Sequence, residues 1–181
     1  NCNFTGSTTV VAGELYVQGG LTGGTIHVHD QAALDGPGNL GILDIQTGGK
    51  FYPRSGSSAG GPSTFASGSS VIVFIGAGGY DQLSVNGNVN LVGDAVLHSF
   101  LKNGYTPPVG TVFEILKFTG TLSGTFKGLP TGSTFTDSGT IFKIDYADKA
   151  VTLTVMCPIT DAVVPTVSAP LPATVTQTKC I

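Results

Sequence analysis

Histidine, aspartate and cysteine are the residue types of this chain that could do chemistry, and their spacing limits what that chemistry is. His27 and His29 lie two apart in Gly23-Gly-Thr-Ile-His-Val-His, next to Asp30. On an extended strand both imidazoles would project to one side, away from Ile26 and Val28. Two imidazoles and a carboxylate make half a metal site; solvent-face histidines are the simpler reading. Gly79-Tyr-Asp-Gln-Leu has the form of one copy of a Ca²⁺-binding Gly-x-Asp-x-Leu turn. That chemistry needs the motif repeated on adjacent coils to complete an oxygen cage, and a single copy is present. Asp81 is therefore expected to bond local backbone amides at a corner.

Hydrolytic chemistry on a polysaccharide would require carboxylates clustered in one column. The 11 acids are scattered, mostly in turn-like contexts such as Asp35, Asp94, Asp137 and Asp148. Stacked strands could still align Asp30, Asp44 and Asp81. A Gly-x-Ser-x-Gly elbow is absent, and His98, set in an apolar run, reads as a core-edge residue. The expectation is a protein without catalytic residues, bound metal or cofactor.

The three cysteines, Cys2, Cys157 and Cys180, lie near the two ends of the chain without zinc-ligand spacing. Terminal cysteines on a low-charge, Gly- and Thr-rich chain point to an extracellular setting, where disulfides persist. An odd number leaves either a free thiol or a bond to another molecule. Position 1 is not Met and no charged-then-apolar leader is present, so residue 1 reads as a processed end.

Composition describes the scaffold that must position these groups. Of 181 residues, 10% are charged, 40% are hydrophobic and 27 are glycine. Few helix formers and many β-branched residues indicate an all-β fold with tight corners. A net charge of −3 and a single Arg, Arg54, leave no electrostatic footprint for nucleic acid. No apolar run is long enough to span a bilayer as a helix.

Strands are expected around Leu15–Val17, Ile26–Val28, Ile42–Ile45, Leu83–Val85, Val89–Leu91, Ala95–Leu101, Val112–Leu116, Phe126, Ile141–Tyr146 and Val151–Val155. Val71-Ile-Val-Phe-Ile, the most apolar run, is expected to be buried on both faces. Residues 55–70, rich in Ser and Gly, read as a loop. Apolar pairs two apart (Leu15/Val17, Ile26/Val28, Leu43/Ile45, Leu83/Val85, Phe113/Ile115) suit coils that each give two side chains to a shared interior. A β-solenoid of about six coils of roughly 20–25 residues is favoured, with a sandwich as the alternative.

Tyr80-Asp-Gln-Leu-Ser-Val-Asn-Gly, Leu101-Lys-Asn-Gly-Tyr-Thr-Pro, Gly110-Thr-Val-Phe-Glu-Ile-Leu, Gly124-Thr-Phe-Lys-Gly-Leu-Pro and Val151-Thr-Leu-Thr-Val follow one another in order. Upstream stands the turn Pro37-Gly-Asn. The series, a little over half the chain, resembles the C-terminal part of autotransporter passenger domains and related bacterial surface β-helix proteins. The resemblance implies a right-handed parallel β-helix, export across the envelope, and a surface, adhesive or matrix role. It carries over no catalytic residue. Such passengers continue into a membrane barrel or sorting signal, whereas 26 residues follow Val155 here. The expectation is a liberated passenger or a secreted protein reusing the module.

Residues 1–155 are read as the solenoid domain and 156–181 as a Pro-punctuated extended tail. The tail ends in an alternating strand-like segment carrying Thr174, Val175, Thr176 and Thr178 before Cys180. Open solenoid ends expose strand edges. The tail is expected to add as a strand to a neighbouring copy, locked by a disulfide from Cys180, making the protein a fibre subunit at the cell surface. Surface glycans or host matrix molecules are further candidate partners. The alternatives are a monomeric secreted adhesin with a self-capping tail and, second, a polysaccharide-degrading enzyme.

Overall fold

The structure, a computed structural model, describes residues 6–157. These form an all-β fold of two mixed sheets, one 12-stranded and one 6-stranded. In chain order the strands are β1 (Thr8–Val10), β2 (Gly13–Tyr16), β3 (Gly20–Val28), β4 (Ala32–Gly36), β5 (Asn39–Ile45) and β6 (Lys50–Pro53). There follow β7 (Ser57–Ala59), β8 (Ser63–Phe65), β9 (Ser70–Gly76), β10 (Gly79–Tyr80), β11 (Leu83–Val85) and β12 (Val89–Leu91). The last six are β13 (Val96–Leu101), β14 (Val112–Phe118), β15 (Leu122–Ser123), β16 (Thr134–Asp137), β17 (Thr140–Ala147) and β18 (Ala150–Met156).

Three parallel ladders account for most of the pairing. The 6-stranded sheet steps from β2 through β4, β6 and β9 to β13. In the 12-stranded sheet one ladder runs from β1 through β3, β5, β8 and β12 to β15. The other leaves β5 and continues through β7 and β11 to β14. β5 serves both because Asn39 and Leu40 pair with β7 while Leu43–Ile45 pair with β8.

Register keeps like with like. Ile26, Leu43, Ser63, Val89 and Leu122 lie opposite one another on successive strands, as do Val28, Ile45, Phe65 and Leu91. These columns are buried, apart from the half-buried Leu122 at the end of the first, so each short strand gives alternate side chains to one interior. Thr9, His27, Asp44, Thr64, Asn90 and Ser123 make the matching outward column. Where the two ladders of the larger sheet meet, the chain passes close to its neighbours. A Cβ on Gly24 or Gly41 would overlap the carbonyl of Gly6 or Gly24 respectively, so only glycine fits there.

Two expectations are corrected. Parallel pairing does not run to Val155: β14 turns to antiparallel pairing with β18, and β18, β17 and β16 form an antiparallel meander. Over this end Phe126 is buried, though outside any strand. The Tyr146 hydroxyl accepts from the Phe126 N–H at 3.0 Å and donates to the Leu129 carbonyl at 2.8 Å. Residues 55–70 are not a loop; they hold β7, β8 and the start of β9. Ser57, Ser63 and Ser69 point into the core, and the Ser57 hydroxyl donates to the Gly36 carbonyl at 2.6 Å. Each of these short strands gains a partner on both sides, which outweighs a weak intrinsic preference for strand. Val71, Ile72, Val73 and Ile75 are buried as expected, while Phe74 reaches the surface. Among the described residues no helix is long and apolar enough to cross a membrane.

A candidate binding site at the lengthening corner

The connection from the smaller sheet to the larger one grows along the chain. It spans residues 17–19, 37–38 and 54–56, then 77–82 around the short β10, and finally 102–111. The two longest crossings line one cleft together.

Arg54 sits in the third of these crossings, where Gly56 (φ +94°) allows the tight return that lets the Ser57 N–H bond the Arg54 carbonyl at 2.9 Å. Its Nε and Nη2 donate to the two oxygens of Asp35, both at 2.6 Å. This fork-to-fork geometry suits guanidinium and carboxylate, and it raises the Arg54 pKa. Nη1 lies 3.9 Å from Asp81. Asp35 and Asp81 are 6% and 5% exposed, so both need this cation. Asp81 also accepts the Phe74 N–H at 3.0 Å. Burial nonetheless pushes the Asp81 carboxyl up, outweighing that bond and the attraction of Lys102 and Arg54. Arg54 makes no direct hydrogen bond to Asp81, since 3.9 Å is too long for one.

Tyr52, Phe74 and Phe100, on β6, β9 and β13, form a column on the outer face of the smaller sheet. The rings of Tyr52 and Phe74 are 6.4 Å apart and 13° from parallel; those of Phe74 and Phe100 are 5.5 Å and 29°. Arg54 lies 5.0 Å from the Phe74 centroid and 5.6 Å from that of Tyr52, and the Lys102 ammonium is 4.9 Å from Phe74. Phe100 ends the column at 46% exposure.

Two clefts flank this column. One, of about 420 Å³, is lined by Ser55, the 76–79 turn, Asp81, Lys102, Asn103 and Tyr105. The other, of about 360 Å³, runs over Ile72 between Lys50 and Phe100. Asn103 (φ 52°) is held in the left-handed region within a single 3₁₀ turn closed by the Tyr105 N–H to the Lys102 carbonyl at 2.9 Å.

The residues singled out in the sequence fall differently. His27 Nδ1 pairs with Asp44 Oδ2 at 2.8 Å, one rung apart in the outward column. His29 follows the end of β3 and Asp30 is exposed in the next turn. Asp81 is buried beside the other sheet, so Asp30, Asp44 and Asp81 do not align. Asp81 does bond a local amide as expected. Asp35 is not a turn residue but a buried member of β4. Asp94 lies 3.6 Å from Lys127, and Asp137 accepts from the Ser99 hydroxyl at 3.1 Å. His98 is not at the core edge but exposed in the second cleft, because it takes an outward position on β13. Among the described residues no three His, Cys, Asp or Glu gather in a way that could hold a metal ion. Cys157 follows β18 and is disulfide-bonded. Cys2, Cys180 and the tail positions Thr174, Val175, Thr176 and Thr178 lie outside the described residues.

Sequence reasoning missed the Arg54 centre and the ring column. The available signals were an outward aromatic on each of three strands and a lone arginine between two acids far apart in sequence. No protein-family model matches the chain, and no curated protein matches it.

Proposed function

We propose that the chain winds as a right-handed parallel β-solenoid and serves as an extracellular structural subunit, assembling end to end through residues 158–181. The observation carrying this reading is the set of strand edges left open at the ends of the ladders. At one end β1 pairs only with β3, and β2 only with β4, among the described residues. Both therefore present backbone N–H and C=O groups that a further strand could satisfy. At the other end the antiparallel β18–β17–β16 set continues from β14, while β13 and β15 each pair on one side only among the described residues; Cys157 follows β18. A tail that follows β18 of one copy and pairs with the β1 or β2 edge of the next gives a heterologous, non-closing contact, the geometry of a filament.

The cysteines are consistent with this. With Cys157 in a disulfide and three cysteines in the chain, a bond within the chain leaves one of Cys2 and Cys180 as a free thiol or as a link to another molecule. The pairing of acids with Arg54, Lys117, Lys127 and Lys143 also suits a scaffold better than a hydrolase. A second reading, a monomeric secreted adhesin, is favoured by the same Cys157 bond if it folds the tail back on its own chain.

Gel electrophoresis with and without reductant, joined to electron microscopy of the full chain, separates the two. The filament reading expects a ladder of multimers that collapses on reduction, and loss of filaments in Val175→Pro, which removes a donor from the added strand. A single monomer band and a monodisperse particle at high concentration would establish the adhesin reading instead.

A further inference from the structure

We infer that the cleft between the 76–79 turn and Lys102–Tyr105 is a binding site for a neutral saccharide, with Phe100 as its stacking platform. This site is independent of the end-to-end contact, since it lies on the flank of the ladder. Four observations carry it. The cleft, at about 420 Å³, falls in the range of small-ligand sites, roughly 300–1,000 Å³. Its lining residues bring acceptors and donors together: Ser55, Lys102, Asn103 and Tyr105, with the largely buried Asp81 behind them. A sugar hydroxyl both donates and accepts, so it is served by such a mixture and poorly by groups of one sign.

The second cleft adds the apolar half of the recognition. Lys102 reaches from the first cleft over the ring of Phe74, which lines the second together with Phe100. One face of Phe100 meets Phe74; among the described residues no other ring stacks on it. That exposed ring can take the C–H face of a pyranose whose hydroxyls reach the polar groups beside it.

Charge selects within the class. Asp81 and Lys102 attract one another, so the cleft offers balanced rather than single-sign charge. A polyanion would meet Asp81 and a polycation would meet Lys102. The polar groups are also held in place before a ligand arrives. Asp81 is fixed by the Phe74 N–H and Arg54, and Asn103 by its tight 3₁₀ turn.

The test is a titration of the full chain, followed by amide NMR shifts, with cellohexaose, maltohexaose and chitohexaose as neutral probes and hexagalacturonate as the acidic one. The expected result is saturable shifts at Gly76–Gly79 and Lys102–Tyr105 with at least one neutral probe. Phe100→Ala and Asn103→Gly should each weaken that affinity about tenfold, equivalent to the loss of one good contact. Both leave the fold intact: Phe100 is exposed, and Gly keeps the left-handed backbone at 103. No shift with any neutral probe would overturn the proposal. So would tighter binding of hexagalacturonate, or unchanged neutral binding in both variants whose melting temperature matches the parent.

Discussion

At the scale of single residues, the Arg54 centre shows how much one cation can determine. Removing it leaves Asp35 buried and unpaired, which costs far more than the pair contributes relative to water. Arg54→Met should lose about 3 kcal/mol of stability in urea unfolding, and adding Asp35→Asn should recover part of that loss. If the double variant is no better than the single one, the pair is not the reason Arg54 matters. Asp81 gives a pH signature. Burial raises its pKa above 3.8, so the folded chain holds this proton more tightly than the unfolded chain. Stability contributed through Asp81 is therefore present below 3.8 and falls as pH rises through the folded value. Asp81→Asn removes the dependence, so its urea midpoint should gain on the parent across that window and run parallel above it. Gln31 is a third case. It takes a left-handed backbone (φ 60°) at the turn position where Gly48 (φ 75°) and Gly68 (φ 76°) stand one and two rungs on. Gln31→Gly should relieve about 1 kcal/mol of strain, read as a rise of a few degrees in melting temperature.

At the scale of elements, legibility followed side-chain size. Strands built on Val, Ile, Leu and Phe were readable: β9 as a continuous apolar run, and β11, β12, β17 and β18 because large apolar residues alternate with polar ones. β7 and β8 were not, since Ser57, Ala59 and Ser63 reach the core and small residues there look like linker composition. Their strand character comes from neighbours distant in sequence, which no local pattern records. The antiparallel end was hidden for a related reason: β17 and β18 have the alternation of any strand, and nothing in it states the direction of pairing. At the site, the acid at position 81 and its bond to a backbone amide were legible from the corner motif. The convergence of Asp35, Arg54 and Asp81 was not, because it is a product of register. Two predictions belong here. Gly41→Ala should cost about 1–3 kcal/mol or more through overpacking, since the added methyl overlaps the Gly24 carbonyl. Tyr146, pushed up to about 12 chiefly by burial, keeps its proton more tightly when folded. Its contribution is therefore complete below the usual value of 10.0 and lost as pH rises towards 12. Tyr146→Phe should remove that alkaline loss while lowering stability at neutral pH by about 1–3 kcal/mol, because the Phe126 N–H is left unsatisfied.

At the scale of the whole molecule, the ladders are paired on both sides in their middle and end in strands paired on one side only among the described residues, β1 and β2 at the start and β13 and β15 later. Local opening should follow that gradient. Hydrogen exchange is expected to be fastest at the amides of β1 and β2 and slowest in β5, β9 and β11. Adding a synthetic peptide of residues 171–181 should slow exchange in β1 or β2 if the tail is the strand those edges accept. Equal exchange with and without the peptide would separate the open edge from the tail and leave the filament reading without its mechanism.

The crossing that lengthens from residues 37–38 to 102–111 does so while the strands on either side keep their register. Extra chain at this one corner leaves the interior unchanged, and closing a longer loop costs only about 0.6 kcal/mol per doubling of its length. The corner is thus a natural port for grafting. A foreign peptide inserted between Ala77 and Gly78 would be displayed at a corner of the sheets, with its spacing from the next corner set by strand separation rather than by linker design.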